Sequence, residues 1–366
     1  MQHNATQPRQ RLLTFRTGGW VILVAVLITA GLATWALWEP LMRGRAAPAA
    51  RTVDDYGFDL SNLRVPKDKL IAALPRDFLP KWDNPPLVPA EAIGEQIRYG
   101  RKKYLVSTDR IVGVTVNGES RTYPISLLTV HEVINDTLAG VPIAVTYHPW
   151  CDSVVVFERT LDGEPVELAS SGLLVDSNLV LFDRRPDGAG ESLFQQLTGA
   201  AIAGPAAARG EALDILPATL TTWADWRTAH PDTSVVGWDE LLVKRYEGSS
   251  PDQYFRSEEL AFPVDPLPPA GELDLKDRVM AVSVGGERRV YPLPMLEKTA
   301  VESIVFRDEI GSTAVAIRYD PVHKVAVLEQ PAPVVGGDVA VIYAMWFAWF
   351  AAHGDADVVG MEQSKN

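Results

Sequence analysis

The stretch TYHPWCDS, residues 146–153, sets His148 three positions before Cys151, the only cysteine of a 366-residue chain that has six histidines. Imidazole and thiolate together suit borderline and soft metals, copper and zinc above all. Pro149 stands second of four residues that link two apolar runs, the signature of a type I or II β-turn whose end Cα atoms lie within ~7 Å of each other. Both side chains can therefore reach one ion. A second group lies in TVHEVIND (129–136), where His131 and Glu132 precede Asn135 and Asp136. It opens like a His-Glu-x-x-His zinc helix but has Asn135 where the second histidine is needed, which excludes a metalloprotease on this motif. His131 is instead a third candidate ligand beside His148 and Cys151. Glu132 is a candidate proton-transfer group or orienting carboxylate. Asp320 and His323, at the ends of the turn Asp-Pro-Val-His, form a lesser pair of candidate ligands.

Each of these residues also has a structural reading. Cysteine is among the most buried residue types, and Asp favours the first position of a turn. Three functions are left open: a transition-metal protein holding copper or zinc, a metal-free binding or scaffold module of the cell envelope, and a thiol enzyme. In the last, Cys151 is the nucleophile and His131 or His148 the base. A single cysteine excludes an intrachain disulfide and a Cys-rich zinc site.

The elements that must position these residues occur twice. DRIVGVTVNGESRTYPISLL (109–128) aligns without a gap on DRVMAVSVGGERRVYPLPML (277–296), VTYHPWC (145–151) on IRYDPVH (317–323), and TTWADWRTAHPDTSVVG (221–237) on AMWFAWFAAHGDADVVG (344–360). Three matches in the same order indicate two copies of one module, at 91–250 and 251–366, the second lacking most of SSGLLVDSNLVLFDRRPDGAGESLFQQLTGAAIAGP. Asn117-Gly118 and Gly285-Gly286 predict two-residue hairpins. A short helix is expected after Pro124 over ISLLTVHEVIND. Strands should flank HPWC and DPVH, and a helix with two tryptophans should close each module. This is a β-rich α+β fold of two related modules, and the 47% hydrophobic composition suits two units of similar size. Trp223, Trp226 and His230 recur as Trp346, Trp349 and His353, so those histidines read as scaffold. His131, Glu132, His148 and Cys151 do not recur, which places any activity in the first module. The stretch peculiar to that module would either wall a pocket over the HPWC turn or complete a sheet.

Residues 20–38, WVILVAVLITAGLATWALW, carry no charge over 19 positions, about the length of a bilayer's ~30 Å hydrocarbon core. One N-terminal transmembrane signal anchor is expected at 18–39, after a short cytoplasmic tail (1–17) and before a tether and extended lead-in (40–90). The bulk of the chain would then be extracytoplasmic, on a single-pass membrane protein. Residues 1–51 hold six Arg against one Glu, which leaves the remainder eighteen charges negative and makes nucleic acid an unsuitable partner. Partners other than the membrane, a small molecule or an envelope protein, stay open.

The wording of residues 109–158, with SGLLVDSNLVLFDR, LTGAAIAGP and LTTWADWRTAHPDTSVV, resembles the bacterial domain-of-unknown-function family numbered 3179, over most of residues 90–360. The resemblance implies no particular reaction. The family's usual wording at the turn is Cys-Pro-Leu-Cys-Gly. Here His148 stands at its first Cys and Asp152 at its Gly, an exchange that metal ligation tolerates and dithiol chemistry does not.

Overall fold

Asn117 and Gly118 both take positive φ, 49° and 83°, as a two-residue hairpin turn of type I′ requires, and they join β3 (Arg110–Val116) to β4 (Glu119–Pro124). A computed structural model describes residues 52–93, 98–99, 102–248, 251–300, 304–332, 338–354 and 358–359. The expected cytoplasmic tail (1–17), transmembrane segment (18–39) and residues 40–51 of the tether and lead-in lie outside them. Among the described residues no helix is long and apolar enough to cross a membrane.

The lead-in is more than a connector. Its strands β1 (Leu70–Ala72) and β2 (Leu87–Pro89) each join a sheet. After β4 comes α1 (Ile125–His131), which ends earlier than expected. Glu132 turns to φ 57° in the left-handed region, and Val133–Leu138 leave as strand β5 rather than as the rest of a helix. The branched side chains of Val133 and Ile134 suit the pleated sheet better than another helical turn. Asn135 and Asp136 consequently sit on a strand. The hairpin β6 (Val141–His148) and β7 (Ser153–Glu158) follows, joined across residues 149–152 as expected.

The stretch peculiar to the first half forms its own sheet. Strands β8 (Glu167–Val175), β9 (Asn178–Arg184), β10 (Leu193–Gln195) and β11 (Ala201–Ala203) run antiparallel in that order, with β1 on the outer edge of β8. Next come β12 (Asp214–Leu216), β13 (Thr219–Thr222), the tryptophan helix α2 (Trp223–Ala229), β14 (Ser234–Val236) and α3 (Val243–Gly248). A second sheet takes the order β13-β3-β4-β14-β2.

The remaining chain supplies β15 (Arg278–Val284), β16 (Glu287–Pro292), α4 (Leu293–Thr299), β17 (Val305–Ile310), β18 (Thr313–Asp320), β19 (Val325–Gln330), β20 (Val339–Met345) and α5 (Trp346–His353). One sheet runs β16-β15-β20-β7-β6-β5, with β12 also on β7. It crosses the boundary expected between residues 250 and 251, and the described residues from 52 onward cluster as one compact unit. The fold is β-rich α+β with short helices, as the alternation and turn dipeptides predict.

Two recurrent side-chain clusters brace it. Asp136 accepts from Arg121 (2.7 Å), the Tyr123 hydroxyl (2.8 Å) and the Thr137 N–H (2.7 Å). Asp308 accepts from Arg289, Tyr291 and the Glu309 N–H in the same way. The two tryptophan helices match as well. His230 stacks on Trp226 with ring centroids 3.9 Å apart and His353 on Trp349 at 4.0 Å, and both tryptophans are buried. Each histidine then bonds through Nδ1, to Ser120 and Arg288 respectively.

Candidate functional site

The early end of α1 creates the site. Glu132 takes the left-handed conformation at the helix C-terminus, its N–H bonded to Leu128 O and its own carbonyl accepting from Tyr147 N–H on β6. This register brings the carboxylate against the last residue of β6. His148 Nδ1 donates to Glu132 Oε1 at 3.1 Å, and Ser170 Oγ on β8 donates to Oε2 at 3.2 Å. Both side chains are buried. With Nδ1 carrying the proton, Nε2 holds the free lone pair. It is buried and has no hydrogen-bond partner among the described residues.

His148 and Glu132 line a cavity of about 390 Å³. Its walls are otherwise mainly apolar: Leu74 and Leu79 from the lead-in, Leu173 and Leu179 from the added sheet, and Trp150 with Phe262 at the turn. Trp150 is itself packed edge-on against Tyr254 and Phe262. The added sheet therefore does both things expected of it as alternatives. It completes a sheet of its own, and it walls a pocket over the HPWC turn.

The structure does not bring His131 to this pair. Its Nδ1 donates to Pro80 O at 2.9 Å and its Nε2 accepts from the Tyr246 hydroxyl at 2.8 Å, while Trp82 stacks on the ring. Tyr246 OH in turn accepts from Asp239 N–H. Neither ring nitrogen has a lone pair left for a metal, and burial pulls the imidazole below its ordinary pKa, which keeps it neutral. Sequence alone could not foresee this, because Pro80, Trp82 and Tyr246 are more than 45 positions from His131.

Cys151 is fully buried in the apolar core, and its thiol donates to Ser177 O at 2.9 Å. Burial raises its pKa far above the ordinary thiol range, so the group stays a thiol. Its N–H closes the turn on His148 O, but no hydrogen bond joins thiol to imidazole. Among the described residues no group of three or more His, Cys, Asp and Glu side chains stands where it could hold one metal ion. Asp320 and His323 do meet, Nδ1 to Oδ2 at 2.6 Å. Asp320 Oδ1 also accepts from the N–H groups of Val322 and His323, the self-capping of an Asp-initiated turn.

Asp152, the next residue of the turn, emerges as a hub that the sequence reading passed over. Its buried carboxylate accepts from both terminal nitrogens of Arg110 at 3.0 Å, from Arg278 Nε at 2.6 Å and from Tyr147 OH at 2.8 Å. Burial alone would raise its pKa, yet the two guanidiniums hold it below the ordinary carboxylate range. A signal was available: Arg110 and Arg278 are the same position of the two aligned stretches.

A family model described as "Protein of unknown function (DUF3179)" matches residues 76–356. No curated protein and no solved structure matches the chain.

Proposed function

The chain belongs to this DUF3179 family, whose description carries no reaction, and from that premise we propose that the His148 cavity binds a small, mainly apolar molecule bearing one proton-donating group. His148 Nε2 accepts that proton, as hydrogen-bond acceptor or general base, and Glu132 fixes the ring and its tautomer. One observation carries the reading: a buried, unpartnered Nε2 on a ring whose other nitrogen leans on a buried carboxylate, at the wall of an apolar cavity. An unmet buried acceptor costs roughly 1–3 kcal/mol, a penalty that a ligand's donor removes.

The transition-metal reading rests on the same nitrogen. Copper or zinc bound to Nε2 would need Cys151 to leave Ser177 O and lose its proton for a second ligand, and a third donor from outside the expected trio. Two ligands for the purified full chain decide between the readings, 4-ethylphenol and its methyl ether 4-ethylanisole, compared by calorimetry. The phenol should bind about tenfold more tightly, roughly one good hydrogen bond, and His148→Phe should erase the preference. Equal affinity for the two would refute the proton-acceptor reading. Stoichiometric zinc or copper(I) that His148→Phe abolishes would replace it by the metal.

Two further expectations belong to this proposal. The chain is an internal duplication, a reading supported by the matching clusters at Asp136 and Asp308 and by the two Trp-His stacks. It is also anchored by residues 20–38 with its bulk extracytoplasmic. Membrane pellets washed with alkaline carbonate should retain the full chain, and protease added outside intact spheroplasts should degrade residues beyond the tether. Release by carbonate, or protection from that protease, would dispose of the anchor or of its orientation.

A further inference from the structure

A second cavity of about 320 Å³, lined by Arg278, Tyr319 and Lys324, lies at the second proline turn. Its chemistry can be read against the first turn. There, Tyr147 OH and Arg110 both bond the carboxylate of Asp152. In the aligned stretches Tyr319 stands at the position of Tyr147 and Arg278 at that of Arg110, and the residue directly after each turn is Asp152 in the first and Lys324 in the second. The backbone agrees: Tyr147 N–H bonds Glu132 O and Tyr319 N–H bonds Ile304 O, while Asp152 and Lys324 both have positive φ, 44° and 53°. The second turn thus keeps the two groups that grip a carboxylate and replaces the carboxylate with an ammonium.

Both groups retain donors. Tyr319 is 2% exposed, and its hydroxyl has no hydrogen-bond partner among the described residues. Burial and the neighbouring Glu297 push that hydroxyl up to about 12, so it is a donor at any physiological pH. Arg278 spends Nε on Asp152 and leaves both terminal nitrogens unbonded by the described residues. The cavity wall carries Lys276, Arg278 and Lys324 against Asp277 and Glu297, one positive charge in excess, with Asp152 behind it balanced by Arg110. Leu293, Met345 and Phe255 complete an apolar side.

We propose that this cavity binds a small monocarboxylate with a short apolar body, its carboxylate between Arg278 and Tyr319 in the place that Asp152 takes between Arg110 and Tyr147. The bonds are charge-assisted, and the fork of the guanidinium selects a planar carboxylate. This site is separate from the His148 cavity and does not depend on its reading.

Calorimetry on the full chain with butanoate, and with butanamide as its uncharged isostere, tests the site. Butanoate should bind saturably at one site, butanamide at least tenfold more weakly, and Tyr319→Phe should weaken butanoate about tenfold. His148→Phe should leave butanoate binding unchanged. Absence of saturable binding by about 10 mM butanoate, equal affinity for the amide, or an unaltered affinity in Tyr319→Phe would each overturn the assignment.

Discussion

Asp152→Ala is expected to destabilise the folded unit by about 3–5 kcal/mol, measured as a lowered denaturant midpoint at unchanged slope. Removing this carboxylate strands two guanidiniums and the Tyr147 hydroxyl around a site with 0% side-chain exposure. Arg110 is the more exacting partner, because both its terminal nitrogens end on Asp152 and its Nε is buried without another partner among the described residues. An unpaired buried charge is costlier than the pair is stabilising, which is why the single substitution is severe. The pH dependence has a definite sign. Burial would raise the Asp152 pKa, but Arg110 and Arg278 depress it, so the folded-state value lies below the unfolded one. Its contribution is complete above the unfolded value of ~3.9 and disappears as pH falls through the lower folded value. The wild type should therefore lose this component in acid below about pH 4, and Asp152→Ala should lack it. A stability difference that does not shrink in acid would show that the two arginines do not depend on this carboxylate. Asp152→Gly should be milder than Asp152→Ala by about 1 kcal/mol, because the residue sits at φ 44°, where glycine is free of strain. That conformation also accounts for the glycine in the related wording Cys-Pro-Leu-Cys-Gly.

Much of this fold is legible because its signals are local. Asn117-Gly118 and Gly285-Gly286 fix hairpins through two dihedrals each, and the strands either side of HPWC and DPVH follow from residue type alone. The helix ISLLTVHEVIND misleads because its end is decided by one residue, Glu132, entering the left-handed region where the following strand pairs with β6. That pairing is tertiary and has no local mark. The same event explains what was legible of the site. His148 reads from the sequence as one of a metal trio and Glu132 as an orienting carboxylate or proton-transfer group, but the spacing of His131, His148 and Cys151 says nothing of direction. α1 points His131 at Pro80 and Tyr246, while the turn points the Cys151 thiol at Ser177. Only Glu132, at the junction, meets His148. A pocket walled by the added stretch over the HPWC turn is among the readings the sequence offers, but the share of the lead-in, Leu74 and Leu79, has no local mark.

Gly172→Ala is expected to open that cavity and to destabilise the protein by about 2–4 kcal/mol, the sum of left-handed strain and overpacking. Gly172 has φ 80° and lies where the β8-β9 register shifts, between Ser170 and Leu174. A Cβ there would stand 2.2 Å from Leu74 O. The contact cannot yield cheaply, because Gly172 O accepts from the N–H groups of both Ala73 and Leu74 at 3.0 Å, and Leu74 O accepts from Tyr56 OH at 2.6 Å. Relief must come from moving the lead-in, which carries Leu74 and Leu79 of the cavity wall and, beyond them, Pro80 and Trp82 that hold His131. Hydrogen exchange should accelerate across residues 70–82, the phenol-over-ether preference at His148 should fall, and butanoate binding at Tyr319 should persist. Gly140→Ala is the control: φ is 83°, but nothing lies within 4 Å of its added Cβ, so only about 1 kcal/mol of conformational strain is expected. If the two substitutions cost the same and exchange in residues 70–82 does not change, the lead-in is not held by this contact. The cavity would then owe its shape to the HPWC turn and the added sheet without it.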